Sequence, residues 1–294
     1  MLNKNIETFI GCDNSFDEAK FVLFGAPFDS TASFRPGARF ASKTMRAESY
    51  GMETYSPYKE MDLDDVSIFD GGDLNLCIGD AETALSQIEK FVASIIEAHK
   101  YPVMIGGEHL VTLGAVRALI KKYPELSVIH FDAHADLRDE YLGTKLSHAT
   151  VMRRVWELTG DGRIYQFGVR SGDKNEFIWG KEHVYMNKFD FNGLIDVIKT
   201  LKNKPVYITL DLDVLNPSIF PGTGTPEAGG IGFDEFLTVI NLLSDLNIVG
   251  FDMVELAPNY DLSGVSTAVA CKLLRELFII FNQKLQEGLK WEKL

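Results

Sequence analysis

The stretch LSVIHFDAHAD, residues 126–136, places three metal-ligand side chains directly after an apolar run. Residues 126–131 are rich in apolar and β-branched side chains, which predicts a short strand buried on both faces. Asp132, His134 and Asp136 follow at alternate positions. If the backbone stays extended through them, their side chains point to one side and converge just beyond the strand's carboxyl end. The stretch therefore predicts half of a metal site.

Two further strand ends supply the other half of this site. PVYITLDLDV, residues 205–214, is again apolar and carries Asp211 and Asp213, and MIGGEH, residues 104–109, ends in His109. The six side chains include no thiolate and are too many for one closed zinc site, which argues against a zinc ribbon or finger. They suit two adjacent divalent cations with bridging carboxylates. Oxygen-rich ligation favours manganese, with cobalt, nickel, iron and zinc as alternatives.

Strand patterns alternate with helix patterns along the whole chain. Residues 81–99 and 112–122 are predicted helices, residues 163–169 and 247–255 are predicted strands, and the acidic, turn-rich residues 61–73 are expected to form a loop. Repeated βα units predict an α/β fold, with a mostly parallel sheet covered by helices on both faces. Ligands of such sheets bind outside the carboxyl ends of the strands, where all six candidate ligands fall.

Length and composition predict a single domain over residues 1–294, because the chain is 46% apolar and lacks a Pro/Gly/Ser-rich linker. The amino terminus does not resemble a signal peptide, and no apolar run approaches the roughly 20 residues that span a membrane, so we expect a cytoplasmic protein. A net charge of −13 argues against nucleic acid and anionic membranes as partners. This negative charge favours the approach of a cationic substrate, although a need for solubility alone would also explain the charge. The three cysteines show no CxxC spacing and are expected to be packing residues.

Two more side chains are candidates for chemistry at the same edge of the sheet. His148 begins a predicted helix, and an imidazole with an unperturbed pKa of roughly 6.5 suits a proton shuttle; a structural role at the helix end is the alternative. Glu255 closes the strand FDMVEL, where its carboxylate could pair with a planar cation such as guanidinium, and Asp252 is the competing acid. His130, inside the central strand, is expected to be a buried, hydrogen-bonded histidine.

Several motifs occur together in the order of one known family. They are GGEH (106–109), FDAHAD (131–136), SHAT (147–150), DLDVLNP followed by PGTGTPEAGG (211–230), and MVELAPNYD (253–261). This set resembles the ureohydrolase family of arginases and agmatinases, and the match covers nearly the whole chain. The resemblance implies a three-layer α/β/α fold, two Mn²⁺ per chain, hydrolysis of a guanidino group to urea and an amine, and a homotrimer or homohexamer.

The resemblance also implies a role for each site residue. One metal would take His109, Asp132, Asp136 and Asp211, and the other Asp132, His134, Asp211 and Asp213, so that Asp132 and Asp211 bridge. A hydroxide between the two metals would attack the guanidinium carbon. Asp136 would orient this nucleophile, Glu255 would hold the guanidinium, and His148 would help to protonate the departing amine.

The loop LRDEYLGTKLSHA, residues 137–149, is similar to the bacterial agmatinase version, so agmatine is the expected substrate and putrescine, for polyamine synthesis, the expected product. Arg138 leaves open a guanidino acid such as guanidinobutyrate, or arginine. A binuclear metallophosphoesterase is a rival from another class, but its GNH(D/E) motif is absent, as are the adjacent histidines of a single-zinc deacetylase. A metal-stabilised subunit without catalysis is the non-enzyme alternative.

Overall fold

A computed structural model describes residues 7–291 of the chain, with side chains as far as Gln283. The strands in this range are β1 (Phe21–Gly25), β2 (Tyr55–Ser56), β3 (Met61–Asp62), β4 (Ile68–Asp73), β5 (Tyr101–Ile105), β6 (Ser127–Phe131), β7 (Ile164–Val169), β8 (Tyr185–Lys188), β9 (Pro205–Asp211) and β10 (Asn247–Val254). All but β2 and β3 form one parallel sheet in the order β4-β1-β5-β10-β9-β6-β7-β8. Strands β2 and β3 pair with each other as a small antiparallel ladder.

The helices are α1 (Ala41–Ser49), α2 (Ala81–Glu97), α3 (Thr112–Lys122), α4 (Val151–Thr159), α5 (Lys174–His183), α6 (Leu194–Leu201), α7 (Phe233–Leu242) and α8 (Val265–Trp291). Helices α2, α3 and α4 contribute their apolar faces to the core on one side of the sheet. Helices α1, α6, α7 and α8 contribute to the core on the other side. The predicted three-layer α/β/α architecture is therefore confirmed. No helix in the described range is long and apolar enough to cross a membrane.

The central strands are buried because helices cover both of their faces. Every residue of β6 is buried, as is every residue of β9 after Pro205 and of β10 after Asn247. Such strands show continuous apolar runs instead of alternation, which is the pattern that the sequence carries at these three places. The most deeply buried part of the sheet therefore lies directly beneath the residues that follow these strands.

The expectation of a loop over residues 61–73 is wrong in its second half, which forms the edge strand β4. Ile68 pairs with Phe21 of β1, but Asp70 and Asp73 give the segment the composition of a turn. Arg46 of α1 explains how these acids are tolerated, because its Nε lies 2.8 Å from Asp70 Oδ2 and its Nη1 2.5 Å from Asp73 Oδ1. The charges of Asp70 and Asp73 next to the sheet are thus compensated by the positive charge of the buried Arg46.

The carboxyl ends of four neighbouring central strands, β5, β10, β9 and β6, meet at the middle of the sheet. Strands β5 and β6 are consecutive in the chain but are separated in the sheet by β10 and β9. The strand order therefore reverses direction between β5 and β6, and a crevice forms at such a switch point in an open α/β sheet. The six candidate ligands and Glu255 lie at or shortly after the ends of these four strands, and His148 lies in the longer connection between β6 and α4.

Candidate metal centre and active site

The six predicted ligands lie together in two overlapping clusters. In the first, His109 Nδ1 lies 3.0 Å from Asp132 Oδ2, 3.3 Å from Asp136 Oδ2 and 3.1 Å from Asp211 Oδ2. In the second, His134 Nδ1 lies 3.4 Å from Asp132 Oδ1 and 3.0 Å from Asp213 Oδ2. Asp132 is the carboxylate that contacts both histidines, one with each oxygen.

The backbone keeps only part of the extended course expected after residue 131. Strand β6 ends at Phe131, and Asp136 has a left-handed backbone with a φ of 53°. The chain therefore turns, and the amide of His134 donates to Asp132 Oδ1 at 2.5 Å. His134 still forms a parallel bridge with Ser171, so the backbone stays partly extended as far as this residue, and the left-handed backbone of Asp136 ends that course. A left-handed backbone at a non-glycine residue is unfavourable and is typical of functional sites.

Asp213 is held by two neighbouring segments. The amide of Ala133 donates to its Oδ1 at 3.1 Å, and its own amide donates to Asp211 Oδ1 at 2.9 Å. Its second oxygen, Oδ2, is buried and lies 3.0 Å from His134 Nδ1, but no group in the part of the chain that the structure describes is aligned to donate a hydrogen bond to it. A buried carboxylate oxygen that lacks a donor is a position suited to a cation.

The electrostatics of the cluster also fit divalent cations. Burial, together with the charge of Asp132, raises the pKa of Asp136 to about 7. Burial and repulsion from Asp213 and Asp132 raise the pKa of Asp211 well above its usual range. Burial alone would lower the pKa of His109, but hydrogen bonds to the surrounding carboxylates outweigh it and raise this pKa. So much negative charge is stable only with protons or metal ions, and carboxylate and imidazole donors suit hard or borderline divalent metals.

A chain of hydroxyl groups fixes the proton on His109. Nε2 of His109 lies 2.9 Å from Thr209 Oγ1, and this hydroxyl donates its one proton to Asp252 Oδ1 at 2.6 Å. Asp252 also accepts from Tyr207 at 2.7 Å and from Thr112 at 2.9 Å. Because Thr209 has no second proton, Nε2 of His109 must be the donor of their bond. When the ring is neutral, Nδ1 is therefore the nitrogen with a free lone pair, and it is the one that faces the cluster. Asp252 is committed to these partners and does not compete with Glu255.

His130 is a buried, hydrogen-bonded histidine, and its partner is a candidate ligand. Its Nε2 lies 2.7 Å from Asp132 Oδ2. The side-chain amide of Gln166 donates to the carbonyl of Ala135 at 2.7 Å and lies 2.8 Å from His130 Nδ1. A nitrogen that donates to a carbonyl must be the amide NH₂, so His130 Nδ1 accepts and Nε2 carries the proton. Although His130 lies within reach of the first cluster, neither of its ring nitrogens is available to a metal.

A cavity of about 200 Å³ opens above the cluster. Its walls include His134, Asp136, Arg138, Tyr141, His148, Glu176, Asp211, Thr225 and Glu255. Glu255 lines this cavity with 9% of its surface exposed, and its Oε1 accepts the amide proton of His109 at 2.7 Å. Burial and the nearby Glu108 raise the pKa of Glu255 well above its usual range. Its backbone is left-handed, with a φ of 64°. A cationic ligand beside this carboxylate would relieve the cost of burying its charge.

His148 forms part of the cavity wall, as does Glu255, so both sequence candidates face the same space as Asp136. Burial lowers the pKa of His148 to about 4. Its ring is edge-on to Tyr141, with ring centroids 5.8 Å apart, and its Nε2 lies 3.3 Å from Ser33 Oγ. The imidazole is therefore neutral at neutral pH and is oriented by the loop that follows β1.

Comparison with known proteins agrees with this architecture. The chain is 46% identical to the agmatinase of Bacillus cereus over 278 residues, 93% of this chain and 96% of that protein. It is 45% identical to the agmatinase of Bacillus subtilis over 279 residues, 94% of this chain and 96% of that protein. The crystal structure of the agmatine ureohydrolase of Thermoplasma volcanium superposes with a TM-score of 0.87 at 35% identity and covers 97% of each chain. Residues 19–280 match the Arginase family. The chain therefore belongs to the arginase family and is a ureohydrolase.

Proposed function

We propose that this ureohydrolase hydrolyses agmatine to putrescine and urea at a binuclear manganese centre. The observation that carries the proposal is the acid-walled cavity, which is lined by residues of the His/Asp cluster and by Glu255. The similarity to bacterial agmatinases over most of the chain supports the choice of agmatine.

The cluster offers enough ligands for two metal ions. One ion would be held by His109, Asp132, Asp136 and Asp211, and the other by Asp132, His134, Asp211 and Asp213. Bound there, two divalent cations would supply Lewis acidity and a water molecule of lowered pKa. Oxygen-rich ligation favours manganese over softer metals, although affinity alone does not select it.

Glu255 is the residue that we assign to the guanidinium group of the substrate. One carboxylate oxygen is occupied by the amide of His109, and the side chain lines the cavity. A guanidinium there would form charge-assisted hydrogen bonds, which are stronger than neutral ones. The high pKa of Glu255 in the absence of substrate indicates that its charged form gains stability when a cation arrives.

His148 is placed to move the proton that the reaction needs. Its imidazole is neutral before the reaction, because burial lowers its pKa to about 4. A neutral ring nitrogen can accept the proton released when water adds to the guanidinium carbon, and it can return that proton to the nitrogen of the departing amine. A protonated amine is a far better leaving group than an amide anion.

The charge around the outer part of the cavity favours a substrate with a second positive charge. Arg138 Nε lies 3.4 Å from Glu176 Oε2, so these two wall residues largely neutralise each other. Two divalent cations would balance the charge of the four aspartates, and Glu255 in its ionised form would then make the cavity negative. Agmatine carries an ammonium group at the end remote from its guanidinium, whereas guanidinobutyrate carries a carboxylate there. The cavity therefore suits the amine better than the acid.

Two further predictions concern the chain as a whole: assembly into a homotrimer or homohexamer, which the resemblance implies, and a cytoplasmic location, which is expected from the sequence. The first is tested by measuring the molar mass of the purified protein in solution by light scattering. A monomer at micromolar concentration would contradict it.

Urea release tests the proposed reaction. The manganese-loaded protein is assayed with agmatine, arginine, guanidinobutyrate and guanidinopropionate, and kcat/KM is compared. We expect a clear preference for agmatine. Preference for an acid would identify Arg138 as a carboxylate-binding residue, and absence of urea from all four compounds would refute the proposed function and favour phosphoester or amide hydrolysis.

A further inference from the structure

The hydroxyl group of Thr31 joins three segments that are distant in sequence. It donates to Glu108 Oε1 at 2.5 Å, and the backbone amide of His148 donates to it at 3.1 Å. Its oxygen also lies 3.5 Å from His148 Nδ1. Thr31 lies in the loop after β1, Glu108 in the loop after β5, and His148 in the turn before α4. A single side chain thus connects the end of a central strand with the wall of the cavity.

The direction of these hydrogen bonds is fixed by proton counting. A backbone amide can only donate, so the Thr31 oxygen accepts from His148. The one hydroxyl proton is then available for Glu108, which also accepts the Thr31 amide through Oε2 at 2.9 Å. Glu108 therefore holds Thr31 by both its backbone and its side chain, and Thr31 holds His148.

Glu108 is itself rigidly placed. It is 1% exposed, and its amide donates to the carbonyl of Phe28 at 2.8 Å. The preceding residue must be glycine, because a Cβ on Gly107 would overlap the same Phe28 carbonyl. The close approach of these two loops brings Glu108 under Thr31. The residue after Glu108 is His109 of the metal cluster, so the connection starts at the cluster and ends at His148.

We infer that Thr31 and Glu108 are positioning residues for His148. They hold its imidazole where it can pass a proton to the departing amine, and they tie that position to the metal-bearing strand end. The inference rests on the proposed function, in which His148 moves this proton. Neither residue contacts the reacting atoms; their effect on the reaction passes through His148.

Replacement of Thr31 by valine removes the hydroxyl and preserves the branched shape. Proton transfer by a placed side chain contributes roughly 10²–10⁴-fold, and a displaced group loses part of this, so we expect kcat for agmatine to fall about 10- to 100-fold with KM nearly unchanged. Thr31→Ser should recover most of the loss. Ser30→Ala is the matched control, because Ser30 lies in the same loop and its hydroxyl donates to the carbonyl of Ile78, at 2.9 Å. It should retain full activity.

A double-mutant cycle separates positioning from general damage. If Thr31 acts through His148, Thr31→Val should cost little further activity in a His148→Asn background, while metal content by mass spectrometry stays equal to that of the wild type. Additive losses, or a fully active Thr31→Val, would overturn the inference. Should Thr31→Val not fold, Glu108→Gln provides the second test, with the same non-additivity expected. Absence of urea from the wild type would instead overturn the proposed function, and with it this role.

Discussion

Nε2 of His109 lies 2.9 Å from the hydroxyl oxygen of Thr209, whose own proton is directed to Asp252. This relationship selects the ring nitrogen that His109 presents to the cluster. Partners that hold the second nitrogen of a metal-binding histidine generally fix its tautomer and its orientation. Thr209 therefore contributes to metal binding although it is proposed to contact no metal.

We predict that Thr209→Val weakens metal binding about 10- to 100-fold, the range found for partners of metal-ligating histidines. The valine preserves the β-branched shape that a buried strand favours, so folding should be preserved. Competition with a chelator, read as metal retained per chain, measures the effect. Thr209→Ser keeps the hydroxyl and is the matched control; equal metal retention in the valine and serine variants would show that the hydroxyl is dispensable.

The second prediction concerns Glu255. Glu255→Gln keeps an oxygen that can accept the amide proton of His109, but it removes the charge that we assign to the guanidinium. Hydrogen bonds to charged groups contribute about 1.5–3 kcal/mol, so kcat/KM for agmatine should fall roughly 10- to 100-fold. Steady-state urea release measures the loss, and two metals per chain should remain. Unchanged kcat/KM would refute the guanidinium role.

The order of the central strands and helices could be predicted from the sequence, because strands buried on both faces and amphipathic helices have distinct patterns. The helix predicted over residues 112–122 is observed with the same bounds, and that over 81–99 ends at Glu97. The edge strands β4 and β8 could not be predicted. Strand β8 is at most partly buried along its length, so it lacks the apolar run on which such a prediction depends.

The six cluster residues could be predicted because each follows an apolar strand and is of a metal-binding type. The residues that orient them could not. Thr209 has the ordinary appearance of a β-branched strand residue, and Thr31 that of a loop residue. Thr209 contacts His109, which is 100 residues away in the sequence, and Thr31 contacts Glu108, which is 77 residues away. Only the packing of the strands brings these pairs together, and no local pattern in the sequence records it.

The third prediction concerns the pH dependence of folding stability through His148. Its pKa is about 4 in the folded protein, because of burial, and roughly 6.5 when unfolded. Between these values the unfolded chain binds more protons, so the free energy of unfolding falls as the pH drops from about 6.5 towards 4. The His148→Asn variant cannot take up this proton, so its free energy of unfolding should fall less over this range. At pH 5 the difference between the falls in the two proteins should be at most about 2 kcal/mol. Urea denaturation of both metal-free proteins at pH 7 and pH 5 measures the difference. Equal losses in the two proteins would show that His148 is not buried in its neutral form.

The last prediction concerns Arg138 and the choice of substrate. Its guanidinium carbon lies 4.8 Å from the ring centroid of Tyr141, and its Nε pairs with Glu176. Glu176 is fixed in turn, because its Oε1 accepts the amide proton of Leu137 at 2.8 Å. Arg138 is thus engaged with protein groups. The interaction energy of an ion pair as exposed as Arg138–Glu176 is only about 1 kcal/mol or less. Arg138→Gln should therefore change kcat/KM for agmatine by less than about fivefold.

The KM for agmatine should stay the same or fall in this variant, since removal of the arginine leaves Glu176 free to attract the substrate's ammonium group. Arg153→Gln is the matched control, because Arg153 stacks on Trp179, with its guanidinium carbon 3.7 Å from the ring centroid, and is not part of the cavity wall. Wild type, Arg138→Gln and Arg153→Gln are compared with agmatine and guanidinobutyrate. A large loss of agmatine turnover confined to Arg138→Gln would contradict the role given to the Arg138–Glu176 pair. A wild type that prefers guanidinobutyrate, and loses that preference in Arg138→Gln, would replace agmatine by a guanidino acid as the substrate.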